Sequence, residues 1–302
     1  MRDLIETSIE APGPLGPLRG TLLVPQPPGG PVVLIVPGSG PTDRDGNGPL
    51  GLHAASYRLL AEGLAAKGVA TVRIDKRGMF GSADAVADAN AVTIKAYAAD
   101  VRSWIDAIRS VTRASCIWVL GHSEGGLVAL AAAQGDADIC GLILVAAAGR
   151  PLGQVLRDQL MANPANAPFL DQALWAVEEL EAGRHVDVAT MHPAVQSLFA
   201  PDVQDFVIDI FRRDPATMIA ECEKPILILQ GERDIQVGVQ DAERLKCAAP
   251  NATLRLLPNT NHLLKEVRSD DRAANLATYT QSAPLAPGVV DAIAAFLSAN
   301  VR

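Results

Sequence analysis

The chain alternates short unbroken apolar runs with longer segments in which apolar residues recur every three or four positions. The runs at 31–36, 69–74, 116–120, 141–146, 225–230 and 252–257 are rich in Val, Ile and Leu, and Gly or Pro lies close to most of them. A strand that is apolar at every position has to be covered on both faces, which is what crossover helices give to parallel strands. Helical periodicity at 56–67, 93–111, 239–248 and 288–299, and an Ala/Leu-rich run after Leu127, supplies those crossovers. Residues 18–24 read as the return strand of an N-terminal hairpin. The pattern predicts an α/β fold, doubly wound around a mostly parallel central sheet.

One interval breaks the rhythm. Between Gly149 and Asp214 there is no strand candidate, only amphipathic runs at 154–161, 170–181 and 203–211. We expect a helical lid at 150–214, inserted into a core made of 1–149 and 215–302. Four of the six Phe residues (Phe169, Phe199, Phe206 and Phe211) and Trp175 fall in this interval. They serve either the core of a small helical unit or the wall of an apolar pocket, and the sequence does not sort them.

The turn from the 116–120 run into the Ala/Leu-rich helix reads Gly121-His122-Ser123-Glu124-Gly125-Gly126. It fits the G-x-S-x-G nucleophile elbow in the strand–turn–helix setting that gives the pattern meaning. Lifting Ser123 out of so sharp a turn strains the backbone, and the flanking Gly121 and Gly125 let strand and helix pass closely. A serine hydroxyl also needs a base within hydrogen-bond reach and a carboxylate to hold that base in the right tautomer. Of the five histidines, His262 lies on a polar loop just beyond the last strand. His122 should pack under the elbow, His185 and His192 belong to the helical interval, and His53 precedes the nucleophile, whereas the expected order is Ser, acid, His. Asp234 ends the strand before the one leading to His262, with Asp241 and Glu232 as fallbacks. The oxyanion donors expected are the backbone N–H groups of Glu124 and Ser39. Gly40, Arg44 and His53 are candidate substrate contacts, although ion pairing within the loop competes for Arg44, as it does for Asp43; Arg77 is expected to be structural.

Composition narrows the classes. With 302 residues, 49% of them hydrophobic, the chain can bury one large core. A net charge of −8, with no long basic run, argues against nucleic acid as a partner. No apolar stretch approaches the ~18 residues of a membrane span, and acidic residues stand where a signal peptide would have its apolar region. A cytoplasmic location is therefore expected, with Cys116, Cys140, Cys222 and Cys247 as reduced thiols because they are far apart in sequence. No metal and no cofactor are implied, and self-association stays compatible with the sequence.

Five segments together carry a family resemblance: residues 37–47 (PGSGPTDRDGN), Asp75-Lys76-Arg77-Gly78, the elbow at 121–126, Gly231-Glu232-Arg233-Asp234, and Asn261-His262. They resemble the α/β-hydrolase superfamily, more narrowly a bacterial carboxylesterase subgroup related to serine aminopeptidases. The resemblance implies hydrolysis of a small-molecule carboxylic ester of short or medium acyl chain, with the acyl group carried on Ser123. Pro37 stands where many members of the superfamily have the His of a His-Gly pair, as the narrower subgroup often does. A peptidase or thioesterase on the same three residues, and a receptor that keeps the pocket without the chemistry, are the other readings. An ordinary imidazole titrates near ~6.5, so a histidine base should make activity climb with pH through about 6–7.

Overall fold

In a computed structural model that describes residues 3–49, 51–134 and 138–300, eight strands form one sheet. They are β1 (Leu4–Ala11), β2 (Leu18–Pro25), β3 (Val32–Val36), β4 (Ala70–Ile74), β5 (Ile117–His122), β6 (Ile139–Val145), β7 (Ile226–Gly231) and β8 (Thr253–Leu257). The order across the sheet is β1-β2-β4-β3-β5-β6-β7-β8. β1 pairs with β2, and β2 with β4, antiparallel; every other pairing is parallel.

The helices follow as α1 (Ser56–Ala66), α2 (Ile94–Thr112), α3 (Glu124–Ala133), α4 (Leu152–Met161), α5 (Leu170–Glu181), α6 (Pro193–Leu198), α7 (Gln204–Phe211), α8 (Pro215–Ala220), α9 (Val239–Ala248), α10 (Arg272–Ala277) and α11 (Val289–Asn300). Thr93 starts α2 by accepting the Ala96 N–H at 3.1 Å, satisfying one of the free donors of the first turn. The expected order of strands and long helices is found. Helices α6, α8 and α10 are additions, each of six residues, too short for a helical period to register. Their starts are set locally, by His192, Asp214 and Asp271 accepting N–H groups of the first turn.

The unbroken apolar strands are buried on both faces. Val32, Leu34 and Val36 of β3 face the side covered by α2, α3 and α9, where Trp104, Ile105 and Leu245 are buried. Val33 and Ile35 face the opposite side, beneath Leu60 and Leu64 of α1 and Ile293 and Leu297 of α11. Between β6 and β7, helices α4 to α7 build a smaller core of their own around Val177, Leu180, Val195, Phe199, Ile208 and Phe211. Helix α8 instead buries Ile219 against the main sheet core.

The cysteines correct the sequence reading. Cys116 and Cys140 form a disulfide with their Cα atoms 5.2 Å apart, while Cys222 and Cys247 are free. Sequence distance misled, because the β5-α3-β6 crossover returns the chain to the start of the adjacent parallel strand. The register shift between Ile117 and Trp118 then leaves Cys140 as the extra residue opposite that step. Among the described residues no helix is long and apolar enough to cross a membrane.

Candidate active site

The candidate residues come from loops that leave the carboxyl ends of β3, β4, β5, β7 and β8, the edge at which open α/β sheets bind ligands. Ser123 is the residue between β5 and α3, with φ 54° and ψ −121°, a conformation that non-glycine residues rarely adopt. Its N–H donates to the Val145 carbonyl at 2.9 Å and its carbonyl accepts from Gly126, so both neighbouring segments impose the turn. A Cβ on Gly121 would lie 2.1 Å from the Gly125 carbonyl oxygen, and one on Gly125 would lie 2.4 Å from that of Val36. The elbow glycines are thus required by close backbone approach.

His262 and Asp234 meet as a pair. The Asp234 side chain is fully buried, and its Oδ2 lies 2.8 Å from His262 Nδ1. Oδ1 accepts the backbone N–H groups of Gln236 at 2.8 Å and Val237 at 2.9 Å, and Gln230 Nε2 donates to Oδ2 at 3.2 Å. A carboxylate so surrounded by donors accepts, so the neutral tautomer of His262 is the one with its proton on Nδ1. The two loops are tied together by α10. Asn275 donates to the Arg233 carbonyl at 2.7 Å and accepts from Asn261 Nδ2 at 3.1 Å. Asn261 in turn accepts the N–H groups of Leu263 and Lys265, which shapes the turn carrying His262.

Ser123 and His262 line one cavity of about 170 Å³ together with Gly38, Ser39, Tyr57 and Gln236. A second cavity of about 1030 Å³ adjoins it and shares Ser39. Its wall is mainly apolar, with Met79, Phe80 and Tyr97 from the core and Leu198, Phe206, Val207 and Ile210 from the helical segment. Ser123 and His262 thus lie in the small cavity, and the larger apolar space lies beside it. Of the aromatics in the helical segment, Phe206 lines the large cavity, Phe199 and Phe211 form the segment's core, and Trp175 is exposed.

The other candidates separate. Glu124 is buried at the N-terminus of α3 and lines the large cavity, as do Gly40 and His53. Arg44 lines neither cavity. Its guanidinium binds Asp75 Oδ2 at 2.9 and 2.5 Å, and its N–H donates to Asp75 Oδ1 at 2.8 Å, so the role with geometric support is holding the loop. Arg77 clamps Asp100 of α2 with two bonds of 2.6 and 2.5 Å. Asp241 is fully buried against Arg150 and the Gly149 N–H, away from His262. Glu232 is exposed. Among the described residues no group of three His, Cys, Asp or Glu side chains is arranged to hold a metal ion.

Three further side chains complete the site. His122 is buried beneath the elbow, with Nε2 at 2.8 Å from the His262 carbonyl and Nδ1 at 2.9 Å from the Tyr57 hydroxyl. The carbonyl can only accept, so His122 Nε2 carries the proton and Nδ1 accepts from Tyr57. Burial first, and the neighbouring His262 second, push the His122 pKa down to about 3, so this ring is neutral. The Tyr57 oxygen accepts the Gly38 N–H at 3.1 Å. Lys76, also buried, donates to the Gly38 carbonyl at 2.7 Å and lies 3.4 Å from Glu124 Oε1. No role for Tyr57 or Lys76 was visible in the sequence. Lys76 lies inside one of the segments that carry the family resemblance, and Tyr57 has no local signal at all.

Known proteins resemble this chain in sequence and in fold. The family model described as serine aminopeptidase, S33, matches residues 50–266. Esterase EstD from Thermotoga maritima is 28% identical over 256 residues, covering 82% of this chain, which spans 58% of that relative's length. Among solved structures, the α/β hydrolase GrgF from Penicillium sp. sh18 superposes with a TM-score of 0.63 at 18% identity, covering 98% of this chain and 99% of that one. Est1E from Butyrivibrio proteoclasticus gives 0.59 at 18% identity, covering 97% and 98%. Fold, sheet order and family model converge: the chain is an α/β hydrolase and belongs to the serine aminopeptidase S33 family.

Proposed function

We propose that this protein is a serine hydrolase that cleaves carboxylic esters of small or medium acyl chains through an acyl-enzyme intermediate. The observation that carries the reading is the buried Asp234–His262 pair opening onto the same small cavity as Ser123. His262 Nε2 takes the Ser123 proton as Oγ attacks the ester carbonyl, and Asp234 holds the imidazole in the required tautomer and stabilises it when charged. The backbone N–H groups of Ser39 and Glu124 receive the tetrahedral oxyanion, the latter reinforced by the N-terminus of α3. His262 then protonates the leaving alcohol. Water attacks the acyl group by the same route in reverse and frees the acid.

The segment at 150–214 acts as a lid that encloses the acyl or alcohol portion in the large apolar cavity, where Gly40 and His53 border the ligand. An aminopeptidase would hold a substrate ammonium with a carboxylate. Of the two carboxylates lining that cavity, Glu124 is paired with Lys76, and Asp43 accepts the N–H groups of Asp45 and Asn47 on Oδ1. The pairing of Glu124 with Lys76 supports ester over peptide, as does the name of the Thermotoga relative.

Labelling with a fluorophosphonate followed by peptide mass mapping tests the chemistry. Adduct on Ser123, absent in Ser123→Ala, is the expected result; a protein that never labels and hydrolyses no ester sinks the reading. p-Nitrophenyl esters of increasing length, run beside aminoacyl anilides and acyl thioesters, test the substrate class.

A further inference from the structure

We infer that Lys76 is a positioning residue that sets the oxyanion site by fixing the Gly38–Ser39 peptide. The inference rests on the serine-hydrolase reading and extends it to a residue that does not touch the reacting atoms.

The loop after β3 holds itself only past Ser39, where Thr42 donates to the Ser39 and Gly40 carbonyls. Glycines flank Ser39 on both sides, Gly40 has φ +70°, and both Ser39 and Gly40 are exposed. Backbone of this kind has wide conformational freedom, so the direction of the Ser39 N–H has to be imposed from outside. A trans peptide is planar, and its C=O and N–H point in opposite directions. The Lys76 ammonium grips the Gly38 carbonyl at 2.7 Å, so the N–H of the same peptide points away from Lys76. Lys76 lines the large cavity, while Ser39 lines both that cavity and the small one holding Ser123. We place that N–H on the side of the small cavity, which Ser39 shares with Ser123. The loop also lies close to the elbow, since a Cβ on Gly38 would stand 3.2 Å from Ser123 Cβ.

Lys76 is itself fixed. It is 5% exposed, lies 5.3 Å over the Tyr97 ring, and faces Glu124, whose own N–H is the second oxyanion donor. The two donors are thereby tied through one ammonium. Tyr57 restrains the preceding peptide at the Gly38 N–H and connects through His122 to the His262 carbonyl. A buried ion pair contributes little net stability, because desolvating two charges offsets their attraction. Position, more than stability, is what this pair supplies.

The test compares wild type with Lys76→Met and with the double variant Lys76→Met/Glu124→Gln, which removes both charges and avoids a lone buried carboxylate. Each is assayed on p-nitrophenyl butyrate and against a trifluoromethyl ketone, which adds the serine to form a tetrahedral oxyanion. Losing a whole oxyanion donor costs ~10²–10³ in rate, so a donor left misaligned should lower kcat about 10–100-fold. KM should stay within about twofold, the inhibitor should weaken by the same factor as kcat/KM, and the pH profile should not move. Tyr57→Phe, which frees the preceding peptide with little change of volume, should give a smaller loss of the same kind. Folded Lys76 variants with wild-type kcat, or a kcat loss without matching loss of inhibitor affinity, overturn the inference. A wild type that neither hydrolyses esters nor labels at Ser123 instead overturns the reading beneath it.

Discussion

At the scale of single residues, the site is governed by which atoms can only accept. Asp234 is surrounded by four donors, and the His262 carbonyl faces His122; together these fix the proton positions on both rings. Asp234→Asn would aim an amide donor at either His262 Nδ1 or two backbone N–H groups. We expect kcat to fall by about 10³–10⁴ with the fold intact, measured by steady-state kinetics and circular dichroism; a loss under tenfold would argue against Asp234 as the orienting group. His122 makes a prediction of opposite kind. Its pKa falls from 6.5 to about 3 on folding, so between those values the unfolded chain binds a proton that the folded protein refuses. Stability is unaffected by this group above pH 7 and is lost as pH drops below about 6, at about 1.4 kcal/mol per pH unit. Urea unfolding of wild type and His122→Asn at pH 7, 6 and 5 checks it. The gap between the two should narrow toward acid at that slope, and a constant gap contradicts it.

At the scale of elements, the strand–turn–helix of β5 and α3 and the return through β6 explain both the strained turn at Ser123 and the disulfide. The C-terminal end of β5 presents Ser123, and its N-terminal end brings Cys116 against Cys140. A cross-link closing a loop of this length should stabilise by about 3 kcal/mol. Thermal unfolding with and without reductant, beside Cys116→Ala/Cys140→Ala, measures it; an unchanged midpoint would mean that the bond restrains nothing the sheet does not already hold. Helix α10 is the element whose importance sequence least suggested. Its Asn275 joins the Asp234 and His262 loops, yet six residues carry no readable period.

At the scale of the whole molecule, the helices between β6 and β7 form their own core on one side and wall a cavity of about 1030 Å³ on the other. Val207→Trp fills part of that space. It should cut kcat/KM for p-nitrophenyl octanoate by about tenfold or more while leaving the acetate within about twofold. Equal losses on both esters would place acyl binding elsewhere. The Cys116–Cys140 bond departs from the reduced state expected of those thiols beside a cytoplasmic location.

What the sequence determined by itself is what local pattern can encode. Apolar runs and helical periods specify the strands and long helices, and the elbow motif with an aspartate and a histidine in order specifies the candidate triad. These signals lie within a few residues of one another or in a known order. Only the tertiary structure decided the rest: the Cys116–Cys140 bond, the binding of Arg44 to Asp75, the sorting of the helical segment's aromatics, and the convergence of Tyr57 and Lys76 on Gly38. Each depends on atoms far apart along the chain meeting in the folded molecule, and chain separation carries no record of that distance.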